Sequence, residues 1–513
     1  MMEMRTLREN IPMERLVGQR QAQAVVEGEI TLPGGLREEA RVLQAGGMVV
    51  LTGAESLQDR VNLDGKVIFH VLYTQGDPSK VQAIEASADF SHTLEVQGAA
   101  PKQLCRGKGW VEHVEAAAYN GRLSLKAIVM LGARVLSAAP ASAVTGITQC
   151  PGLQLRTQTM ALTRTVAQGM GEALLREEFE LPEALQITDT LYATAQATLS
   201  DVTGGQGRVN VSGTVQLEVY HASQMPSRPL AVTRHTLSFE QPVDITGEAA
   251  ELLRGDVVVK DVAVLSQEAG DGSRVLRAEV VLGIDAWGDV QEDWTVLKDA
   301  YTTQGEGVSL TPQTLACRVG DSRGQTAESG KMILMLPEGS PAARTVLAGF
   351  ATPILTSREQ MGGRLTVEGM LEVTLLYMTD DSDAPVTISQ EEPFRMTFAA
   401  APGADDFLSL EACDVDVSAI TSDRVEMKYI LRLTMDGVDC RRSEWIVDAQ
   451  PREEPEPMKG VALYFVQPGE GLWEIARRYR IPQEELTSLN DGLEKQEPVP
   501  GQAVVVFRRM SEE

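Results

Sequence analysis

Three stretches of the chain repeat one strand-like pattern at nearly constant intervals. Each stretch starts with an arginine and carries a glycine five positions later; the stretches are residues 60–73, 208–220 and 364–377. A Leu-Pro pair precedes these glycines by 32, 31 and 32 positions, with its proline at Pro33, Pro182 and Pro337. A second strand-like motif follows each copy, beginning at Arg122, Arg274 and Arg424. Markers that keep their spacing across three copies predict a triplicated structural unit.

The first motif alternates apolar and polar residues along its length. In the first copy Val61, Leu63, Val67 and Phe69 fall on one parity, with Gly65 between them. Period two is typical of a half-buried antiparallel strand. A glycine inside such a strand indicates a bulge or a close backbone approach. The second motif becomes continuously apolar, which favours a more central strand.

Turn signals precede the second motif. Asn-Gly at 120–121 and Asp-Gly at 271–272 favour the positive φ angles of a tight hairpin, and Ser-Asp at 422–423 is a weaker signal in the third copy. The apolar runs at 257–259 and 415–417 are predicted to be the partner strands of these hairpins.

The stretch before each Leu-Pro pair is compatible with two structures. Residues 161–178 fit either a helix or a strand, whereas Phe179 and Leu181 alternate as a strand would. We favour a strand for the last few residues of this stretch. The pattern leaves open whether neighbouring copies lend each other edge strands.

The predicted fold is mainly β, with three tandem β-rich domains followed by a small βααβ module. At 513 residues the chain exceeds the ~250–300 residues that one core usually holds. The predicted units are a first domain with an N-terminal extension, a second domain, a third domain, a Pro/Glu linker and the tail module, at 1–150, 151–303, 304–450, 451–460 and 461–510. Prolines in the linker favour polyproline II, a semi-rigid spacer that is expected to leave the tail module free to engage something separate from the body.

The tail pattern predicts the order strand, helix, helix, strand. Leu472, Ile475, Ala476 and Tyr479 lie at helical spacing and form one apolar face. Pro482 is placed to open a second helix, where its missing N–H is harmless. An apolar run that ends the module is predicted to be its last strand.

Charge and composition exclude several classes of protein. A formal net charge of −27 disfavours a nucleic-acid binder, which needs a basic surface. Charged residues interrupt the start of the chain, so no secretory signal is expected, and no apolar run reaches the ~20 residues of a membrane span. Five widely spaced cysteines without a Cys-x-x-Cys pair indicate buried thiols in a reducing cytosol.

No motif points to catalysis, a cofactor or a metal site. The five histidines lack metal-ligand spacing, and the chain has no phosphate-binding glycine-rich loop and no Gly-x-Ser-x-Gly nucleophile elbow. His70 and His221 fall in or just after repeated strands, where a structural role is expected. A non-enzymatic protein is predicted, and a carboxylate pair assembled in three dimensions is the alternative.

The tail resembles a LysM domain from the strand at residue 464, through Gly-Glu-Gly-Leu-Trp at 469–473, to residue 507. The three repeats resemble SPOCS domains, and the combination is similar to the SipL-like spore coat morphogenetic proteins of clostridial endospore formers. This resemblance implies a coat scaffold or adaptor in the mother-cell cytoplasm, at the forespore surface. It also implies that the LysM module binds the coat basement ATPase SpoIVA and that the SPOCS repeats contact other coat proteins.

The predicted partner face is carried by the first helix and two loops of the tail. LysM domains usually bind N-acetylglucosamine polymers, so peptidoglycan binding in the spore cortex or cell wall is the alternative function. Sugar-binding members commonly have Gly-Asp-Thr or Gly-Asp-Ser where this chain has Gly-Glu-Gly, which argues against a sugar contact. Trp473 is either an interface residue or a partial cover of the module's own core. The predicted contact residues are Gly469, Glu470, Gly471, Leu472, Trp473, Arg477, Arg480, Asn490, Asp491, Gly492 and Leu493.

Overall fold

β-Strands form most of the chain, and the predicted mainly-β fold is confirmed. The computed structural model describes residues 4–33, 39–270, 273–399, 407–454, 460–490, 492–493 and 496–508. Within these ranges the α-helices are confined to the tail module.

The three copies follow one strand order. The first copy contains β1 (Arg5–Ile11), β2 (Glu14–Thr31), β3 (Ala40–Leu57), β4 (Arg60–Gln75), β5 (Asp77–Glu95), β6 (Leu104–Tyr119), β7 (Arg122–Ala138) and β8 (Ala141–Thr148). The second contains β9 (Leu153–Glu180), β10 (Ile187–Gly205), β11 (Arg208–Ser223), β12 (Leu230–Asp244), β13 (Thr246–Gly247), β14 (Leu252–Glu268) and β15 (Arg274–Thr302). The third contains β16 (Gly307–Gly320), β17 (Gly324–Met335), β18 (Thr345–Met361), β19 (Arg364–Met378), β20 (Val386–Phe398), β21 (Phe407–Thr421), β22 (Arg424–Asp436) and β23 (Asp439–Arg452).

Each copy forms a sandwich of two antiparallel sheets. In the first copy β4 lies between β3 and β5, and β7 lies between β2 and β6. The second copy places β11 between β10 and β12 and β15 between β9 and β14; the third places β19 between β18 and β20 and β22 between β17 and β21. The second motif therefore forms a central strand, as predicted. Every described ladder pairs strands of a single copy, so the copies lend each other no edge strand in the described residues.

The alternating residues of the first motif build the core of the first sandwich. Val61, Leu63, Val67 and Phe69 have no exposed surface, and they pack with the apolar residues of β7. The half-buried strand predicted from period two is confirmed. Equivalent cores fill the other two sandwiches.

The glycine inside each first motif is required by a close approach. A Cβ atom at Gly213 would lie 2.2 Å from the Thr198 carbonyl oxygen and 2.7 Å from the Phe239 ring. The equivalent glycines of the other copies face the same two groups, a carbonyl of the neighbouring strand and a phenylalanine ring. A bulge lies beside this contact in each neighbouring strand. The predicted bulge and the predicted close approach are both confirmed.

The long strand β9 and the hairpins before the second motif bear on the remaining predictions for the body. Residues 161–178 belong to β9, so the helical alternative is wrong: β9 pairs with β15 along its whole length and gains ladder hydrogen bonds that a helix would forgo. The turn at 120–121 has φ angles of 48° and 70°, as a tight hairpin requires. Residues 257–259 and 415–417 lie in the partner strands β14 and β21. The Asp-Gly pair at 271–272 lies outside the described residues.

The three sandwiches close into a ring around a central chamber. β10 packs against β5, β18 against β12 and β3 against β20, so the third copy returns to the first. At one end of the ring, side chains from all three copies stack in series: His70, Tyr192, Tyr220 and Phe350. This stack gives His70 a structural role. The ring lines a chamber of about 1170 Å³ that is open to solvent.

Three two-stranded arms extend from the other end of the ring. The arms are β1 with β8, β16 with β23, and the distal halves of β9 and β15. Their apolar faces meet in one bundle that includes Ile11, Leu162, Val296, Leu315 and Trp445. Each copy therefore contributes one sandwich to the ring and one arm to the bundle.

A buried ion network joins the copies where arms meet sandwiches. Arg318 donates to Glu14 Oε2 at 2.7 Å, to Asp289 Oδ2 at 2.7 Å and to Asp321 Oδ2 at 2.8 Å. Glu14 comes from the first copy, Asp289 from the second, and Asp321 and Arg318 from the third. All four side chains are at most 4% exposed, so charges from three copies share one water-poor site.

The tail folds as a compact βααβ module, as predicted. It contains β24 (Gly460–Phe465), α1 (Leu472–Tyr479), α2 (Gln483–Ser488) and β25 (Ala503–Arg508). β24 and β25 form an antiparallel pair. Residues 455–459 of the predicted linker lie outside the described residues.

Candidate partner-binding site

Glu470 holds the loop that precedes α1. Its carboxylate accepts hydrogen bonds from the Tyr464 hydroxyl and from the Gln467 backbone N–H, and it forms an ion pair with Arg478. The hydrogen bond from Tyr464 lowers the pKa of Glu470, so the carboxylate stays ionised at neutral pH. Glu470 therefore uses its acceptor oxygens inside the module.

Two further carboxylates close the start of α1. The Gly471 N–H donates to Glu474 Oε2 at 2.9 Å, and the Leu472 N–H donates to Glu497 Oε2 at 3.0 Å. The first N–H groups of a helix lack partners within the helix, and negative charge is favourable beside them. Glu497 lies in the segment before β25, so its hydrogen bond ties that segment to the loop that precedes α1.

Asn490 and two leucines serve the folding of the module itself. Asn490 Nδ2 donates to the carbonyl oxygens of Leu486 and Val505, both at 2.8 Å. Its Oδ1 accepts the Val505 N–H at 2.7 Å. Leu472 and Leu493 are buried in the module's core. These three predicted contact residues are thus committed to internal packing and hydrogen bonds.

The Trp473 face of α1 is turned toward the body. Trp473 Nε1 and Arg477 Nη1 each donate to Asp299 Oδ2 at 2.7 Å. The Trp473 ring packs edge-on against Tyr301, with centroids 5.0 Å apart. The Tyr301 hydroxyl donates to the Ile481 carbonyl oxygen at 2.8 Å, and burial raises the pKa of Tyr301 to about 12, which keeps it a donor.

Arg480 and Arg156 extend the same contact. Arg480 Nε donates to the Thr302 carbonyl oxygen at 2.9 Å, and its Nη2 donates to the Gly305 carbonyl oxygen at 2.6 Å. From the body, Arg156 in β9 donates to Glu474 Oε1 at 3.0 Å. Arg480 of the module thus binds backbone carbonyls of the body, and Arg156 of the body binds a carboxylate of the module. Hydrogen bonds in both directions fix the orientation of the module on the arm formed by β9 and β15.

The expectation that the linker leaves the tail module free of the body, to engage something separate, is therefore wrong for this arrangement. The module packs on the distal end of β15, and Tyr301 belongs to the module's own apolar cluster. A proline-rich linker restricts the backbone between two units, but the complementarity of the facing surfaces decides whether they touch. Trp473 was predicted to be either an interface residue or a cover of the module's own core. It does both, because it is 9% exposed and lies at the boundary between module and body.

The exposed remainder of the predicted contact set is small. Gly469, Arg477 and Gly492 are exposed, and Glu470 and Gly471 are half-buried. Asp491 lies outside the described residues. The available surface of the set is thus the rim of the two loops and the outer edge of α1.

Sequence reasoning missed the residues that complete this site. Glu497 sits in a loop without periodicity, and nothing in its spacing connects it to the start of α1. Asp299 and Tyr301 lie at the end of β15, where the alternating pattern gave no sign of a second packing partner. A carboxylate next to an aromatic residue at the end of a strand is too common to single out.

The described residues contain no cluster suited to bind a metal ion, since no group of three His, Cys, Asp or Glu side chains there is placed to hold one. All five cysteines are free, with Cys317 and Cys413 buried and the others half-buried. No described helix combines the length and apolarity that a membrane crossing needs.

Comparison with known families finds matches to two segments of the chain. A family model described as SipL, SPOCS domain matches residues 40–118, and a LysM domain model matches residues 464–507. No curated protein and no solved structure matches the chain. Both families are non-catalytic binding domains, and together they indicate a sporulation-related role in binding peptidoglycan or protein. The chain thus joins a SipL-type SPOCS domain to a C-terminal LysM domain, which confirms the combination predicted from its sequence.

Proposed function

We propose that the chain is a non-enzymatic spore coat scaffold whose LysM module binds a protein partner, a coat basement ATPase similar to SpoIVA. In this proposal the protein works in the mother-cell cytoplasm and helps to assemble the coat on the forespore surface. The SPOCS repeats then supply contacts to other coat proteins.

The hydrogen bond from Leu472 to Glu497 is the observation that carries this proposal. It joins the loop before α1 to the segment just before β25, and it places a carboxylate at the start of α1, beside the predicted groove. A glycan in that groove would have to displace this carboxylate from the Leu472 N–H and supply a neutral acceptor in its place. A hydrogen bond to a neutral sugar oxygen is weaker than one to a carboxylate, and this difference disfavours sugar binding.

The exposed face of β24 gives the module a surface suited to protein. Val461, Leu463 and Phe465 point to the same side and are 73%, 60% and 55% exposed. Contiguous exposed apolar side chains rimmed by polar residues mark interaction sites in soluble proteins. This exposed face is apolar, whereas a groove that binds a glycan needs polar groups to bond the sugar hydroxyls.

The Trp473 face adds contacts when the module leaves the body. Trp473, Arg477 and Arg480 are of the types enriched at interface hot spots, and in the docked form they bind Asp299, Thr302 and Gly305. A partner that uses them therefore competes with the arm. The loop rim at Gly469, Gly471 and Gly492 is available in either form.

Peptidoglycan binding is the second candidate, favoured by the LysM family match itself. A wall-binding role would place the tail on glycan of the cortex or cell wall. Glu470 and Glu497 count against it, because both carboxylates already bind partners within the module.

Localisation in sporulating cells tests the scaffold. A chain ending at Glu454 keeps the described body and lacks the LysM module, and we expect its fluorescent fusion to be diffuse in the mother cell. The full-length fusion should encircle the forespore. Encirclement by the truncated chain at normal levels would contradict a role for the LysM module in recruitment.

A further inference from the structure

We propose that β24 pairs edge to edge with β24 of a second copy of this chain, so that two LysM modules share one four-stranded sheet. The inference concerns the free edge of the strand, and it leaves the exposed side-chain face of β24 open to a protein partner. It goes beyond the proposed function and does not depend on it.

The outer edge of β24 is unpaired within the described part of the chain. β24 and β25 form a two-stranded ladder in which Leu463 lies opposite Val505. Opposite residues of an antiparallel ladder alternate between pairs that exchange hydrogen bonds and pairs that do not. The Val466 N–H donates to the Gln502 carbonyl oxygen at 3.0 Å. Leu463 and the residues two positions before and after it therefore direct their backbone N–H and C=O groups away from β25.

Hydrogen bonds on the other strand agree with this alternation. The Val505 N–H and C=O are both bonded to the Asn490 side chain, at 2.7 and 2.8 Å, so they do not bond to Leu463. Asn490 thus covers the outer edge of β25. On β24 the Phe465 carbonyl oxygen accepts from Gln467 Nε2 at 2.9 Å, whereas the outward backbone groups of Leu463 have no partner among the described residues. The module closes one edge of its sheet and leaves the other open.

β24 lacks the features that protect other edge strands of the chain. Edge strands of soluble proteins usually carry charges, a proline or a bulge that prevents pairing with another chain. In the body, β20 has Pro393 among charged residues, and β17 has Glu328 and Lys331. β24 reads Gly-Val-Ala-Leu-Tyr-Phe, and its ladder with β25 has no register shift. Such an edge is a template for the addition of a strand.

A second copy of the same strand fits this edge by symmetry. With a two-fold axis at Leu463, Leu463 lies opposite its counterpart, and Val461 lies opposite Phe465 of the second copy. Each outward N–H then faces an outward carbonyl oxygen. All three side chains are more than half exposed, so opposite residues also gain apolar contacts on one face of the sheet. An interface of this kind uses the same patch on both chains and closes with two subunits.

The distribution of charge places self-association in the tail rather than in the body. Residues 460–510 contain seven acidic and six basic side chains, so they carry −1 of the chain's formal net charge of −27. Two acidic bodies repel each other, whereas two nearly neutral modules do not. An uncharged strand in the tail is therefore where two copies of this chain can approach.

The dimer is expected to be weak, because one pair of six-residue strands forms a small contact. Interfaces that bury less than about 1200 Å² in total belong mostly to transient complexes. We expect a dissociation constant on the order of 100 µM.

Sedimentation equilibrium of the full-length protein tests this pairing, over about 10–500 µM chain and in about 0.15 M salt, which screens the charge of the body. Wild type should show a reversible equilibrium between monomer and dimer. Leu463→Lys and Leu463→Glu should each stay monomeric, because like charges would lie opposite each other at the two-fold axis. An equal mixture of the two variants should restore the dimer, because lysine then faces glutamate.

Matched variants control for unfolding and for surface charge. Val499 is 61% exposed, close to the 60% of Leu463, but it lies in the segment before β25, so Val499→Lys and Val499→Glu should dimerise as wild type does. The double variant Val461→Lys with Phe465→Glu should also dimerise, because each lysine faces a glutamate of the second copy. Thermal unfolding confirms that each variant is folded before it is compared.

Three results would overturn the proposal. They are a wild type that stays monomeric over the whole concentration range, dimerisation of Leu463→Lys as strong as that of wild type, and a mixture of the folded Leu463→Lys and Leu463→Glu variants that stays monomeric. These measurements contain no ATPase, so their outcome is separate from that of the partner-binding proposal.

Discussion

Replacement of Arg318 by methionine is expected to destabilise the body by about 3–5 kcal/mol, the usual cost of removing one partner from a buried ion network. Arg318 binds Glu14, Asp289 and Asp321 at 2.7–2.8 Å. Burial alone would lower the pKa of Arg318, but the three carboxylates raise it above its ordinary value. Without the guanidinium, three buried carboxylates from three copies would keep only partial compensation from Arg254, which is 32% exposed and lies 3.3 Å from Asp289 and 3.4 Å from Asp321. We therefore expect both the ring and the arm bundle to loosen.

Denaturant unfolding of the variant checks this prediction against an exposed ion pair. Arg277 donates to Glu178 at 2.6 Å, but both side chains are more than half exposed. Arg277→Met should change the free energy of unfolding by no more than about 1 kcal/mol. Equal unfolding midpoints for Arg318→Met and Arg277→Met would contradict the structural importance of the network.

Replacement of Gly213 by alanine is expected to destabilise the second sandwich by roughly 1–3 kcal/mol or more, as overpacking does in a close-packed core. The added methyl group would meet the Thr198 carbonyl oxygen at 2.2 Å and the Phe239 ring at 2.7 Å. The first of these atoms is backbone of a paired strand and cannot rotate away. The sheet must therefore shift at the bulge of β10.

A nearby glycine in the same sheet supplies the control. A Cβ at Gly205 meets nothing within 4 Å, so Gly205→Ala should be neutral or slightly stabilising. Because the backbone clash remains, Phe239→Leu should not restore the stability of Gly213→Ala. Thermal unfolding that is unchanged in Gly213→Ala would show that the repeated glycine is not needed for the close approach.

Local patterns in the sequence predicted the strands of the body because each pattern depends on neighbours along the chain. Alternation at Val61, Leu63 and Phe69 reflects burial of one face, and the repeated glycine reflects one contact between adjacent strands. The ambiguity at residues 161–178 arose because its apolar residues fit both periods, and pairing with β15 decided it.

Contacts between residues far apart in the chain could not be predicted from local patterns. Arg318 and Glu14 are 304 positions apart, and no spacing rule connects them. Ring closure, the arm bundle and the chamber all arise from packing of whole copies, which the sequence of one copy does not encode. Single charged residues such as Arg318 look like any solvated charge until their partners are known.

Local patterns also predicted part of the candidate site, but not its long-range contacts. The LysM pattern located α1 and its flanking loops, because their apolar residues follow helical and strand periods. The docking of Trp473 on Asp299 and the closure of the loops by Glu497 depend on residues 174 and 25 positions away. These contacts therefore become visible only in the folded structure.

Capture of the full-length chain by two baits distinguishes a protein-binding tail from a glycan-binding one. The baits are purified SpoIVA-like ATPase and insoluble peptidoglycan, and the chains are wild type, Leu463→Asp and, as a surface control, Met361→Asp, whose side chain is 72% exposed on the body. We predict that the ATPase captures wild type and Met361→Asp and that Leu463→Asp binds at least about tenfold more weakly, a loss of about 1.4 kcal/mol. Retention on peptidoglycan without capture by the ATPase would contradict the account and make the tail a glycan-binding module.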